Sequence, residues 1–137
     1  MPKKSAGLHV LIVDDEPLIR WSLAETLSHS GHSVVEAGDG AGAVRSLSTG
    51  ATPFDVVLLD YRLPDSDGLG LLSTIRALAP KSAVIMMTAF GTPEVTSRAL
   101  ALGAYRVVPK PFEVYDMPAL VVQAHADSGL KAAHRAP

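Results

Sequence analysis

Polar side chains follow four of the five apolar runs in this sequence, each at the point where the run ends. They are three carboxylates, a hydroxyl and an ammonium group: Asp14 and Asp15 after the first run, Asp60 after the third, Thr88 after the fourth and Lys110 after the fifth. Carboxylate oxygens suit a metal ion, and hydroxyl and ammonium groups donate to phosphoryl oxygens. The residue types therefore indicate metal-assisted phosphoryl chemistry.

Three carboxylates that lie close together require a counter-charge. Two like charges about 4 Å apart repel by roughly 4 kcal/mol at an effective dielectric constant of about 20. Protonation or a bound cation relieves this repulsion, and oxygen ligands without sulfur or clustered histidine favour Mg²⁺, with Mn²⁺ as a substitute. The cation would also neutralise a phosphoryl group in transfer and leave one carboxylate free to act as nucleophile.

Each of these residues also has an ordinary alternative role. The pair Asp14 and Asp15 is typical of an acidic helix start, and Asp60 of a turn. Thr88 suits a strand-end cap, and Lys110 a solvated cation. Their joint placement favours one shared site, because functional groups in open α/β sheets gather at the carboxyl ends of the strands.

The apolar runs alternate with segments of helical spacing. Strands are predicted at 8–13, 32–36, 54–59, 82–87 and 105–108. Helices are predicted to follow them, with Pro17 in a first turn, Asp39 and Thr92 as N-caps, and Gly31 and Gly103 at helix ends. This alternation predicts an α/β fold, a doubly wound, flavodoxin-like, five-stranded parallel sheet with strand order 2-1-3-4-5.

Size and composition predict one domain, since the chain has 137 residues of which 47% are hydrophobic. Residues 1–7 are predicted as a flexible N-terminal segment, 8–126 as the domain, and 127–137, where helical periodicity is lost, as a linker or tail. The absence of cysteine excludes thiolate chemistry. A net charge of -2, scattered cations and short apolar runs predict a cytoplasmic protein with no direct nucleic-acid binding and no membrane helix.

Four segments around these polar residues carry a resemblance to a known family. They read Leu-Ile-Val-Asp-Asp-Glu-Pro at the first strand end, Leu-Leu-Asp-Tyr-Arg-Leu-Pro at the third, Met-Met-Thr-Ala-Phe-Gly at the fourth and Val-Pro-Lys-Pro-Phe at the fifth. In this order they make residues 8–126 similar to the receiver domains of two-component response regulators. The stretches Asp-Glu-Pro-Leu-Ile-Arg-Trp and Met-Thr-Ala-Phe-Gly-Thr look most like the receivers of nitrogen-regulation-type transcriptional activators.

The resemblance implies a role for each polar residue. Asp60 would accept a phosphoryl group from a histidine kinase or a small phosphodonor, and Thr88 and Lys110 would bind its oxygens. The implied Mg²⁺ ligands are Asp15, Asp60 and the backbone carbonyl of Arg62, with Asp14 acting through water. The family usually has a cis bond at the position of Lys110–Pro111.

The resemblance also implies what the domain does. It would be a signalling domain, not an enzyme with its own substrate, although it takes part in Mg²⁺-dependent phosphoryl transfer to itself and in its own dephosphorylation. Phosphorylation would act on an output domain in transcriptional regulation, or a stand-alone receiver would dock a partner. A homodimer would form through the face of the fourth helix, fifth strand and fifth helix, or through the first helix.

One position departs from the family pattern. Many receivers have an aromatic switch residue three positions before the lysine, where this chain has Val107. Strand periodicity predicts that Tyr105 lies on the same side of the strand as Val107. Tyr105 or Phe90 is therefore expected to report the phosphorylation state instead.

Two rival functions use similar residues on a related fold. A haloacid-dehalogenase-type phosphatase needs a second carboxylate two residues after its nucleophile, but Arg62 stands there. A flavodoxin-like FMN carrier would need a hydroxyl-rich phosphate loop after the first strand, where this chain has Asp-Asp-Glu-Pro. Both patterns count against the rivals.

Overall fold

Strands and helices alternate along the chain. The computed structural model describes residues 7–50, 52–89 and 91–135, without the side chains of 130–135. The strands are β1 (His9–Val13), β2 (Ser33–Ala37), β3 (Val56–Asp60), β4 (Arg62–Leu63), β5 (Ser66–Asp67), β6 (Ala83–Thr88) and β7 (Arg106–Pro109). The helices are α1 (Pro17–His29), α2 (Gly40–Thr49), α3 (Gly68–Leu78), α4 (Pro93–Ala101) and α5 (Met117–Arg135), with a 3-10 turn at Val114–Asp116.

The main sheet has five parallel strands in the order β2-β1-β3-β6-β7. Because β6 and β7 are the fourth and fifth strands predicted from the sequence, the predicted strand order is confirmed. Every residue of β3 and β6 is buried, as expected for central strands covered on both faces. The carboxyl ends of β1, β3, β6 and β7 consequently lie along one edge.

Each face of the sheet has its own hydrophobic core. Val57 and Leu59 of β3 belong to one core, with residues of α2, α3 and α4, whereas Val56 and Leu58 belong to the other, with residues of α1 and α5. Side chains of successive strand residues point to opposite faces. A strand with a core on both sides must therefore be apolar throughout, which explains the uninterrupted apolar run at 56–59.

The helix ends follow the sequence signals. The side chains of Asp39 and Thr92 each accept a hydrogen bond from the backbone N–H three residues later, at 2.7 and 3.1 Å. Pro17 lies in the first turn of α1. Gly31 and Gly103, which follow α1 and α4, have φ angles of 93° and 105°, a conformation that favours glycine.

The segment between β3 and α3 has regular structure of its own. It contains an antiparallel hairpin of β4 and β5. The carboxylate of Asp65 ties this hairpin to α2, since it accepts hydrogen bonds from the backbone N–H groups of Gly40 at 2.8 Å and Ala41 at 3.1 Å. These two contacts lower the pKa of Asp65. They join residues 24 and 25 positions apart, which local turn signals do not reveal.

The last helix is longer than predicted. The sequence pattern placed its end near Ala126, but α5 continues to Arg135, so this prediction was wrong. Beyond Asp127 the apolar spacing is lost, yet lysine and alanine at 131–133 have high helix propensity, which favours continuation of the helix. The division into domain and tail stays a prediction, and residues 1–6 lie outside the described part of the chain.

Candidate functional site

The three carboxylates predicted to share a site lie together at the carboxyl edge of the sheet. Asp60 is the last residue of β3, and Asp14 directly follows the adjacent strand β1. One oxygen from each of Asp14, Asp15 and Asp60 lies within 4.8 Å of the others. The side chain of Asp14 is 0% exposed and that of Asp60 5%, whereas Asp15 is exposed.

The turn from β1 into α1 is fixed by hydrogen bonds around Asp14. Its carboxylate accepts one from the backbone N–H of Glu16 at 2.9 Å, and its own N–H donates to the carbonyl of Ala37 in β2 at 3.1 Å. Arg20 donates from Nη1 to the Asp14 carbonyl at 2.6 Å and from Nε to Glu36 at 3.1 Å. Sequence reasoning missed this role of Arg20, whose partner in β2 is set by the tertiary fold.

The backbone brings Lys110 to the same edge. Lys110 follows β7 directly, and its N–H donates to the carbonyl of Thr88, the last residue of β6, at 2.8 Å. The peptide bond Lys110–Pro111 is cis, as the resemblance implied. Thr88 is buried.

The ammonium group of Lys110 contacts three carboxylates. Its Nζ lies 3.0 Å from Asp14 Oδ2 and 3.3 Å from Asp60 Oδ2. The three residues therefore share one site, as the sequence predicted. Lys110 Nζ also lies 2.9 Å from Oε1 of Glu16. The sequence analysis did not include Glu16 in the site. Its position directly after Asp14 and Asp15 was the signal that could have indicated it. The Lys110 side chain is only 9% exposed.

Burial and neighbouring charges shift the pKa values of Asp60 and Lys110. Burial and the negative charge of Asp14 raise the pKa of Asp60 to about 6, although the Lys110 charge and the N–H of Arg62, 3.3 Å from Oδ1, lower it. Burial lowers the pKa of Lys110, but hydrogen bonds to Glu16 and Asp14 and the carboxylate charges outweigh burial, so this pKa is raised overall. Lys110 therefore stays charged, while Asp60 ionises against repulsion.

The acidic cluster can bind a metal ion. Its donors are carboxylate oxygens, the ligands of hard cations such as Mg²⁺. A cleft of about 380 Å³ opens beside it, lined by Asp15, Glu16, Asp60, Arg62, Leu63, Pro64, Ala89 and Lys110. The Arg62 carbonyl as a metal ligand and the Thr88 hydroxyl as a phosphoryl ligand stay predictions.

Comparison with known proteins identifies the family. Residues 10–122 match the response regulator receiver domain. The chain belongs to this receiver domain family. This membership rejects the phosphatase and the FMN carrier that the sequence left as rivals, and it confirms the resemblance found in the four segments.

Curated relatives of this receiver are transcriptional regulators. It is 38% identical over 115 residues to the DNA-binding transcriptional regulator NtrC of Escherichia coli K12, and 40% identical over 111 residues to the transcriptional regulatory protein PdtaR of Mycobacterium tuberculosis H37Rv. The alignments cover 84% and 79% of this chain, but 24% of NtrC and 52% of PdtaR. The receiver therefore spans only a part of either relative.

Solved structures agree with the receiver fold. A CheY-like receiver domain protein from Methanospirillum hungatei superposes with a TM-score of 0.85 at 25% identity, covering 92% of this chain and 99% of that one. NtrX from Brucella abortus superposes with a TM-score of 0.81 at 35% identity, and the match covers 92% of this chain and 28% of the NtrX chain. Among the described residues of this receiver, no helix is long and apolar enough to cross a membrane.

The receiver differs from the predicted arrangement at the switch position. Val107 packs against the core shared with α2, α3 and α4, whereas Tyr105 packs, with Val108, against the core shared with α1 and α5. The prediction that Tyr105 and Val107 lie on one side was wrong, because β7 begins at Arg106 and strand periodicity does not extend to Tyr105. Phe90, the other suggested reporter, lies outside the described residues.

Tyr105 is instead tied to α5. Its Oη donates to Oδ2 of Asp127 at 2.5 Å, and this hydrogen bond, with burial, raises the pKa of Tyr105. Asp127 lies in the second half of α5, where the sequence predicted a linker. A report of the phosphorylation state by Tyr105 stays a prediction.

Proposed function

We propose that Asp60 is the phosphoryl acceptor of this receiver and that a histidine kinase supplies the phosphoryl group. The observation that carries the proposal is the pairing of Asp60 Oδ2 with Lys110 Nζ at 3.3 Å inside a cluster of carboxylates. A carboxylate nucleophile must reach the donor in its ionised form, and an adjacent ammonium group favours that form and binds incoming phosphoryl oxygens.

The transfer forms a bond between a carboxylate oxygen of Asp60 and phosphorus. With phosphohistidine as donor, the P–N bond breaks and its electron pair returns to the imidazole nitrogen. With acetyl phosphate, the bond from phosphorus to the acetyl oxygen breaks and acetate leaves with the pair. Lys110 then donates to one phosphoryl oxygen, and the Thr88 hydroxyl to another. In this proposal the domain is a signalling device and not an enzyme with a separate substrate.

The proposed ligands of Mg²⁺, with Mn²⁺ as a substitute, are Asp15, Asp60 and the backbone carbonyl of Arg62, with Asp14 acting through water. The clustered carboxylate oxygens fit a hard divalent cation. When bound, the cation neutralises charge on the phosphoryl group during transfer. The chain itself holds Asp60, at the end of β3, and Lys110, after β7, with their side chains 3.3 Å apart at one edge of the sheet.

Incubation with acetyl phosphate and Mg²⁺, followed by intact-mass measurement, tests this proposal. The wild type should gain the mass of one phosphoryl group, and EDTA or Asp60→Asn should abolish the gain. Asp116→Asn is the matched control, because it removes an exposed carboxylate in the 3-10 turn, outside the residues that line the cleft. No gain in the wild type, or an undiminished gain in Asp60→Asn, would refute the assignment.

We also propose that the phosphorylated receiver acts in transcriptional regulation, as the names of NtrC and PdtaR suggest, and that it does so in the cytoplasm. A phosphoryl group brings about 1.5–2 negative charges, and we expect α4, β7 and α5 to respond. Dimerisation would use this face, or α1, where Leu18 and Trp21 are exposed. Light scattering before and after phosphorylation measures this step, and an unchanged monomer mass would contradict it.

A further inference from the structure

The three partners of Lys110 differ in how readily each can release it. An ammonium group has three N–H donors, and those of Lys110 face Glu16 at 2.9 Å, Asp14 at 3.0 Å and Asp60 at 3.3 Å. Asp14 and Asp60 are buried, whereas the side chain of Glu16 is 56% exposed. A buried carboxylate that loses its partner is left uncompensated, but water can replace the partner of an exposed one.

The side chain of Glu16 does not cap the helix that it precedes. Glu16 is the N-cap residue of α1, yet its side chain makes no capping hydrogen bond. Serine, threonine, asparagine and aspartate are the usual N-caps. The Glu16 carboxylate instead reaches Lys110, 94 residues later in the chain. Its backbone N–H donates to Asp14, which holds residue 16 beside the acidic cluster.

We propose that Glu16 is a positioning residue that competes with the phosphoryl group for Lys110. The inference rests on the proposed phosphorylation of Asp60. Before transfer, three carboxylates face the three donors of Lys110, so the ammonium must release one of them to donate to a phosphoryl oxygen. Glu16 is the partner whose release costs least. The ion pair of Glu16 and Lys110 therefore holds the ammonium in its resting position and slows phosphorylation.

The rate of phosphorylation by acetyl phosphate at saturating Mg²⁺, followed by intact mass, tests the competition. Glu16→Gln keeps the length of the side chain but removes its charge. It should be phosphorylated faster than the wild type by a factor of about 1.4 to 5, the range that corresponds to measured exposed ion pairs. Salt screens such pairs, so the ratio of the two rates should approach one near 1 M salt, where the Debye length is about 3 Å.

Two further variants separate the ion pair from the negative charge itself. Glu16→Asp keeps the charge but is one methylene shorter, so it loses the 2.9 Å contact and should be as fast as Glu16→Gln. Glu113→Gln is the matched control, because it removes an exposed carboxylate that is close to Lys110 in sequence but lines a separate cleft beside β7. It should keep the wild-type rate.

The outcomes distinguish this inference from the proposed function. If the wild type gains no phosphoryl group, the proposed function itself fails. If the wild type is phosphorylated and Glu16→Gln is no faster, Glu16 does not compete for Lys110. If Glu16→Gln is faster but Glu16→Asp keeps the wild-type rate, the charge and not the contact is responsible, and the inference is likewise overturned.

Discussion

Asp60→Asn should stabilise the metal-free receiver, even though it weakens one contact of Lys110. Burial and the charge of Asp14 raise the pKa of Asp60 from its ordinary 3.8 to about 6. A tenfold change in proton affinity corresponds to about 1.4 kcal/mol, so ionising Asp60 costs the folded domain about 3 kcal/mol relative to the unfolded chain. The amide cannot ionise and avoids this cost.

The pH dependence follows from the direction of the shift. Between pH 3.8 and about 6 the folded state binds the Asp60 proton and the unfolded state does not, so the free energy of unfolding falls as the pH rises. About half of the loss is present at pH 5 and nearly all of it at pH 8. The stability gap between Asp60→Asn and the wild type should therefore widen by about 1.4 kcal/mol from pH 5 to pH 8.

Urea unfolding in EDTA at pH 5 and pH 8 measures this gap. Glu25→Gln, which replaces an exposed carboxylate on α1, is the control and should show no such widening. Saturating Mg²⁺ should shrink the gap, because the cation binds the folded wild type with its full set of carboxylates. If Asp60→Asn is less stable than the wild type at pH 8 in EDTA, the ion pair with Lys110 outweighs burial and repulsion, and the reasoning is wrong.

Three further substitutions test the packing around the site and along α5. Gly68→Ala should destabilise the domain by about 1–3 kcal/mol, because a Cβ there would lie 2.3 Å from the backbone oxygen of Tyr61. Gly129→Ala, in an open stretch of α5, should stabilise it by about 0.5–1 kcal/mol, and equal effects of the two changes in urea unfolding would contradict the packing argument. Tyr105→Phe removes the hydrogen bond to Asp127 and should cost about 1 kcal/mol, so an unchanged unfolding midpoint would show that this bond adds no stability.

The fold and the acidic cluster were predictable because both depend on short-range patterns. A strand with a core on each face must be apolar, and the first polar residue after it must lie at the carboxyl edge of the sheet. Asp14, Asp60 and Lys110 could therefore be predicted to lie together without any long-range information. The structure confirms the placement, with Lys110 Nζ 3.0 and 3.3 Å from the two carboxylates.

Features that depend on particular long-range contacts were not predictable in this way. The contact of Glu16 with Lys110 and that of Asp65 with α2 each join side chains to groups far along the chain, and no local pattern specifies the partner. The continuation of α5 past Asp127 was missed for a related reason, since apolar spacing marks only those helical residues that cover a core.

The charges at the site fit both the proposed binding of a cation and the proposed release of Lys110 by Glu16. Asp14, Asp15, Glu16 and Asp60 place four carboxylates close to the ammonium group of Lys110, so negative charge is in excess there. A bound divalent cation would reduce this excess, and the proposed phosphorylation would increase it again, because a phosphoryl group carries about 1.5–2 negative charges in place of one. The site must then separate like charges, and water can solvate Glu16 when Lys110 leaves it. The repulsion that we expect to lower the stability of the metal-free domain would therefore also favour the exchange of Glu16 for a phosphoryl oxygen as the partner of Lys110.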